Sequence, residues 1–438
     1  MYNMPLFNVR TTMAMIAVAI LTIVLTSTIS VAAAPAIEFT YVPPIGSFDN
    51  LQGKVTNVNP SEYKVAVYIY VSGWWTKPYF ISPLQTINSD GNWTCDITTG
   101  RSDEFATKVK AYLLRNGDIP PSMSGGQIFP AELEAKAVAS TEVSRRPDRI
   151  IDFSGRKWIV KYSAIPEGPG LNYFSDSDQS VFVDNQGQLH LKIIKAGDKW
   201  YSSEVILNES LGYGEYIFYL ANRADQIDKN AVLGMFTWDT LAPSNNYREM
   251  DIELSKWGKD VNDNSQFVVR PWTHPGNIFR FNANFTGNYS VHSFNWSSVN
   301  ISFKSLRGWN ISSLNISDKI NSWTYTGSDI PPPGKENARI NLWLFDPNNV
   351  LGKPPSDGKE VEVIIKKFEF ISLKGDINGN GKVTLVDAIY LAKHVGGFIG
   401  YETIYANGDI NCDGKVTLVD AIYLAKHVGG FIGYEKIC

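Results

Sequence analysis

The sequence predicts a mainly β protein that ends in a small α-helical unit, and three observations carry that reading. From residue 35 to residue 373, short runs of alternating apolar and polar residues recur between turns rich in Gly, Asn, Asp and Pro. No convincing amphipathic helix interrupts them. Beyond Gly375 the pattern changes to a loop and a helically spaced segment that occur twice, 33 residues apart. At 438 residues the chain exceeds one compact core, so several domains are expected.

The first segment, residues 1–34, holds Arg10, the uncharged run Met13 to Val31 and then Ala32, Ala33 and Ala34. That order is the pattern of a secretory signal peptide cleaved near residues 32–34. The apolar run is also long enough to remain as an uncleaved anchor, the one circumstance in which a membrane enters this reading. Eight N-glycosylation sequons, at Asn92, Asn208, Asn284, Asn288, Asn295, Asn300, Asn310 and Asn315, support export and a secreted or cell-surface location. The three cysteines, Cys95, Cys412 and Cys438, are too few for a disulfide framework, and Cys412 with Cys438 is a candidate pair.

Residues 35–140 alternate in runs such as Lys64 to Val71 and read as a small β-sandwich, an accessory module. Trp74, Trp75 and Tyr79 flank a turn there, where they serve either as core and cover or as stacking faces for sugar rings. The stretch Glu134 to Arg149 is small-residue and polar, so residues 141–149 read as a linker. Residues 150–373 again read as strands, for example Leu189 to Ile194 and Glu360 to Ile365, which describes a large β-sandwich or jelly roll. Pro331 to Gly334 and Pro354-Pro355 mark rim loops. The composition is 44% hydrophobic and 13% aromatic, which fits folded domains with sugar-handling surfaces, and a net charge of −4 argues against nucleic acid as a partner.

In residues 374–438, Asp376, Asn378 and Asn380 occupy positions 1, 3 and 5 of a calcium loop, with Gly381 at position 6, Thr384 at 9 and Asp387 at 12. The second copy supplies Asp409, Asn411, Asp413, Gly414, Thr417 and Asp420. Lys382 and Lys415 add backbone carbonyls. The spacing wraps oxygens around one point, as a hard cation requires, so two Ca2+ ions are expected. This duplicated loop-helix tail resembles a type I dockerin, the module that docks enzymes onto cohesin domains. The resemblance implies a cohesin-bearing partner. It also implies that Leu385, Val386, Lys393 and His394, with Leu418, Val419, Lys426 and His427, supply contact residues or the small core.

The stretch Arg248 to Leu254 alternates acidic and apolar residues strictly. On a strand, Glu249, Asp251 and Glu253 share one face while Met250, Ile252 and Leu254 share the other. Three carboxylates on one face raise the proton affinity of at least one, as a general acid near neutral pH requires. The segment Glu249-Met250-Asp251-Ile252-Glu253 resembles the E-x-D-x-E motif of glycoside hydrolase family 16. Ser202-Ser203-Glu204, Tyr213 to Tyr216, His292 to Trp296 and Arg339 to Trp343 resemble further pieces of that family in order. The resemblance spans about residues 150–373 and implies a concanavalin A-like β-jelly roll, with the motif strand on the concave sheet.

By that resemblance Glu249 is the nucleophile, Glu253 the general acid/base and Asp251 the residue that holds the proton balance between them. Trp238, Trp257 and Trp343 are implied cleft aromatics. The expected function is a secreted retaining endo-glycosidase acting on a β-linked polysaccharide and attached through its dockerin to a cohesin. The rival reading is a non-catalytic carbohydrate-binding or adhesion protein with the same domains.

Overall fold

The computed structural model describes residues 33–260 and 263–437. The signal-segment reading falls on residues that lie outside this range. Among the described residues no helix is long and apolar enough to cross a membrane.

The N-terminal unit packs two sheets. One pairs Ala36–Tyr41, Leu51–Thr56 and Asn92–Cys95, and the other is built on Tyr63–Tyr70 and Lys108–Arg115. Val65, Val67 and Ile69 point between the sheets with Leu51, Trp93, Val109 and Leu113. The intervening Ala66 and Tyr68 are equally buried, because Trp74, Met123 and Leu133 cover the outer face. Leu133 belongs to the short helix Ala131–Lys136, so the central strand is apolar on both faces and its period of two is blurred. Trp74 is thus a core residue, while Tyr79 is exposed.

The stretch read as a linker is largely structured. Residues Ala139–Ser144 form an edge strand antiparallel to Lys108–Arg115, with Ala139 opposite Leu113 and Ser144 opposite Lys108. Its inward residues are small and its outer face is solvated, which removed the large apolar signals by which a strand is recognised. The connection between the sandwiches is the four-residue stretch 145–148, and the next strand is Arg149–Phe153.

The central unit is a jelly roll of two packed antiparallel layers joined at their rims. One layer orders Arg156–Val160, Lys199–Leu207, Asn337–Leu344, Ala231–Trp238, Met250–Leu254 and Ser265–Val269 side by side. The other orders Leu189–Ala196, Val361–Ser372, Gly214–Leu220, Ser290–Trp296, Ile301–Arg307 and Lys319–Tyr325. Between them lies a core in which Leu233, Met235, Met250, Ile252, Leu254, Ile340 and Leu342 meet Tyr216, Phe218, Phe294, Phe303 and Phe368. Every second residue of the first layer faces away from this core and becomes the floor of a cleft.

The C-terminal unit holds two helices, Leu385–Val395 and Leu418–Val428, packed on each other around Ile377, Leu391, Ile410 and Leu424. Thr384 and Thr417 cap them, and Asp387 and Asp420 close the capping boxes. Cys412 is disulfide-bonded and Cys95 is a free buried thiol. The expected partner, Cys438, lies outside the described residues.

Candidate functional site

The carboxylate strand sits in the layer that floors the cleft. Met250, Ile252 and Leu254 enter the core, so Glu249, Asp251 and Glu253 face a cavity of about 670 Å³ that all three line. Glu249 stands just before the strand. Tyr247 and Arg248 precede it in the left-handed region, at φ 47° and 52°, and Thr237 Oγ1 donates to the Arg248 carbonyl at 2.7 Å. This fold-back aims Glu249 over the floor.

The three carboxylates have different surroundings. Arg270 binds Glu249 at 2.5 Å and lies across the faces of Tyr247 and Trp238, at 4.8 and 5.5 Å from their centres. Burial raises the Glu249 carboxyl above its ordinary range, and the charge of Arg270 and a hydrogen bond from Asp251 oppose that rise. Asp251 is the most strongly raised, by burial and then by the charges of Glu249 and Glu253 on either side. Its surroundings thus favour the protonated form more than those of either glutamate. Burial pushes Glu253 up to about 7, against a hydrogen bond from Gln266. Arg280 donates to Gln266 at 2.9 Å and so fixes which way that amide points.

Gly234 lies opposite Glu253 on one side and Asn341 on the other. A Cβ there would come within 2.5 Å of Asn341 Oδ1. Beyond Asn341, Glu204 is fully buried; burial raises its carboxyl, but Lys161 at 3.3 Å and Arg339 at 3.0 Å outweigh that and hold it ionised.

Of the expected aromatics, Trp238 and Trp343 line the cavity. Trp238 stacks on Tyr247 at 4.2 Å. Trp257 does not line it. It is 8% exposed and packs with Val232, Trp343 and Phe345, with Arg280 across its face at 4.6 Å. Its φ of 47° belongs to the turn that ends the motif strand, and this turns the ring behind Trp343. Arg270, Gln266 and Lys161 were not anticipated. Arg339 and Asn341 were within reach, since Arg339, Asn341 and Trp343 alternate on one strand in the same way as the carboxylates.

In the first tail loop, Asp376 accepts from the Asn380 and Gly381 amides at 3.0 and 2.7 Å, and Asn380 Oδ1 from the Lys382 amide at 2.9 Å. Asp387 accepts from the Asn378 amide at 3.2 Å and the Thr384 amide at 2.8 Å. The second loop repeats this with Asp409, Asn411, Asp413, Lys415 and Asp420. Gly381 and Gly414 take φ of 76° and 83°, as the sharp turn at position 6 requires. Among the described residues no three His, Cys, Asp or Glu groups form a metal cluster. The loops instead combine carboxylates with amide and backbone oxygens, a donor set that fits a hard cation.

Lys393 and His394 are held within their own repeat, Lys393 by the Tyr401 hydroxyl at 2.8 Å and His394 by the Tyr401 carbonyl at 2.8 Å, and the second copy does the same with Tyr434. The exposed residues of the helices are Leu385, Val386 and Ile389, matched by Leu418, Val419 and Ile422.

Residues 374–429 match the family profile of the dockerin type I domain. Among solved structures, the chain is similar to an immunostimulatory antigen and pseudo β-1,3-glucanase of Mycobacterium tuberculosis, at 17% identity over 49% of this chain and 91% of that one, TM-score 0.37. It is similar to a mixed-linkage glucan GH16 protein of Bacteroides ovatus at 12% identity, over 52% and 98% of the two chains, TM-score 0.38. A laminarinase from Flavobacterium matches at 13% identity over 45% and 84%, TM-score 0.35. No curated protein matches.

Proposed function

We propose that the chain is a retaining endo-glycosidase that cuts a β-linked polysaccharide and is carried on a cohesin-bearing partner by its calcium-loaded dockerin. The observation that carries this reading is the placement of three carboxylates on one strand face, all lining the cavity, with Arg270 on Glu249 and Gln266 on Glu253. Glu249, steadied by Arg270, is the nucleophile. Asp251 keeps a proton between the two glutamates and hydrogen-bonds Glu249. Glu253, with its carboxyl near 7, is the group able to give a proton to the leaving oxygen and take one back from water. Crowding of this kind destabilises a fold and is expected where chemistry uses it. The reading is tested by reducing-end release from a panel of β-glucans and galactans, and by proton NMR of the first anomer formed. Release with the β-anomer first supports it. Binding without release supports the carbohydrate-binding alternative.

The pH dependence has a definite sign. Glu253 must be protonated to act as the acid, so kcat/KM falls as pH rises through about 7. Glu249 must be ionised, and its raised carboxyl places the acid limb above the ordinary carboxylate range. The two limbs give a bell with its maximum on the acid side of neutrality. A profile flat from pH 6 to 9 rejects Glu253 as the acid.

In the dockerin, Asp376, Asn378, Asn380 and Asp387, with the Lys382 carbonyl, would hold one calcium ion, and Asp409, Asn411, Asp413 and Asp420, with the Lys415 carbonyl, the other. Ions held there would neutralise the charge of the buried Asp387 and Asp420. The two helices expose matching apolar faces: Leu385 and Leu418 are both 54% exposed, and Val386 and Val419 are 57% and 56% exposed. Replacing Leu385 and Val386 by Ser in one copy should therefore weaken cohesin binding only about twofold, while changing both copies should abolish it. Calorimetry that shows a large loss from the single-copy change argues for one dominant face.

A further inference from the structure

The cavity that holds the carboxylates does not end at the jelly roll. It runs on to Tyr70, Ser72 and Gln127 of the N-terminal sandwich and to Arg146 in the connection. We propose that the N-terminal sandwich forms one wall of the substrate cleft and, with that connection, builds a subsite for a neutral saccharide remote from the carboxylates. The proposal rests on the glycosidase reading for the identity of its ligand.

The distance suits an extended ligand. From the motif strand, the floor crosses Ala231–Trp238, Asn337–Leu344 and Lys199–Leu207 before it reaches Arg156–Val160. Four interstrand steps of about 4.8 Å make roughly 19 Å, the span of several sugar rings.

The wall is built rather than incidental. It rests on the turn 71–73, where Ser72 takes φ of 52° and Gly73 φ of 155°, and a Cβ on Gly73 would strike the Gly125 carbonyl. Trp75 Nε1 donates to the Val71 carbonyl at 3.0 Å, Gln127 to the Ser72 carbonyl at 2.9 Å and the Tyr70 hydroxyl to Gln127 at 2.8 Å. From this fixed turn the Ser72 hydroxyl donates to Glu167 of the jelly roll, so the two sandwiches meet at the cleft itself.

Three residues of this wall also carry a buried polar atom without a partner. Arg146 Nε, Arg339 Nε and Asn341 Oδ1 all belong to residues of the cavity wall. Each such atom costs about 1–3 kcal/mol if nothing meets it. Most of the nearby charges are paired, Arg146 with Asp176 at 2.6 Å, Arg149 with Asp178, Arg339 with Glu204, and Lys161 with Glu204 and Glu167, and the two others that line the cavity, Lys108 and Asp148, are of opposite sign. No net charge is left to draw an ionic ligand, which points to a neutral glycan. Arg146 also lies 4.0 Å above the ring of Tyr162, so its planar group is held in place before any ligand arrives.

The test is calorimetric titration of the full chain carrying Glu249→Gln with cello-, laminari-, mixed-linkage and galacto-oligosaccharides in series from the disaccharide upward. Affinity should keep rising until the chain spans the floor. Adding Arg146→Ala or Gln127→Ala should cost the longest ligands about tenfold and leave the shortest binders unchanged, with an unaltered circular dichroism spectrum showing that the fold is kept. Loss of affinity at every length, no loss at any length, or affinity that stops rising at the shortest binder overturns the subsite. Failure of the glycosidase reading shows separately, as absence of hydrolysis by the unmodified chain.

Discussion

Glu249→Gln is expected to lower turnover by at least about 10⁴-fold, the scale on which removing the nucleophile of a covalent mechanism acts. The substitution keeps the shape of the side chain and its contact with Arg270 but removes the charge that attacks the sugar. Glu253→Gln should cost about 10²–10⁴-fold on a polysaccharide, the usual worth of a positioned general acid. It should cost far less on an aryl glycoside whose leaving group departs without a proton. Asp251→Asn should leave a reduced residual rate, because the amide still donates to Glu249 but cannot pass a proton along the face. The three variants are compared by initial rates on one polysaccharide and one activated glycoside. Equal loss for Glu253→Gln on both substrates contradicts its role as proton donor. Unchanged rates for Glu249→Gln remove this strand from the mechanism.

Removal of calcium is expected to unfold the dockerin and abolish cohesin binding while leaving hydrolysis nearly unchanged. The unit's core is small, centred on Ile377, Leu391, Ile410 and Leu424. The same loops bury Asp387 and Asp420, whose carboxylates, among the described residues, accept from amide and hydroxyl donors only. At free calcium about a thousandfold above the dissociation constant, each ion stabilises the folded form by roughly 4 kcal/mol, which is most of what a unit of this size has. In chelator, limited proteolysis of the full chain should cut within residues 375–437 and spare the jelly roll. Resistance of that stretch in chelator, or cohesin binding that persists, contradicts calcium-dependent folding.

Several features were legible in the sequence because they depend on neighbours along the chain. Strict alternation from Glu249 to Leu254 places three carboxylates on one face whatever sheet the strand joins, and a 33-residue repeat with Gly at position 6 specifies a loop whose side chains fold back on their own backbone. The small edge strand Ala139–Ser144 was less legible. Its pairing with Lys108–Arg115 draws on backbone hydrogen bonds that any residue makes, and its small side chains give no period to detect.

What the sequence by itself determined is the mainly β architecture with a helical tail, the shared face of Glu249, Asp251 and Glu253, and the oxygen-rich loops. Only the tertiary structure decided which groups meet that face. Arg270 and Gln266 reach Glu249 and Glu253 because the strand Ser265–Val269 pairs in one register with Met250–Leu254. A slip of that strand by one residue would turn Gln266 and Arg270 off the face that carries the carboxylates. The same holds for the tryptophans, since Trp343 lines the cavity and Trp257 packs against it from a turn outside the cavity. The N-terminal wall of the cleft is the extreme case. Ser72 meets Glu167 across 95 residues of sequence, and such a contact is set by how two finished sandwiches pack, on which local spacing carries no information.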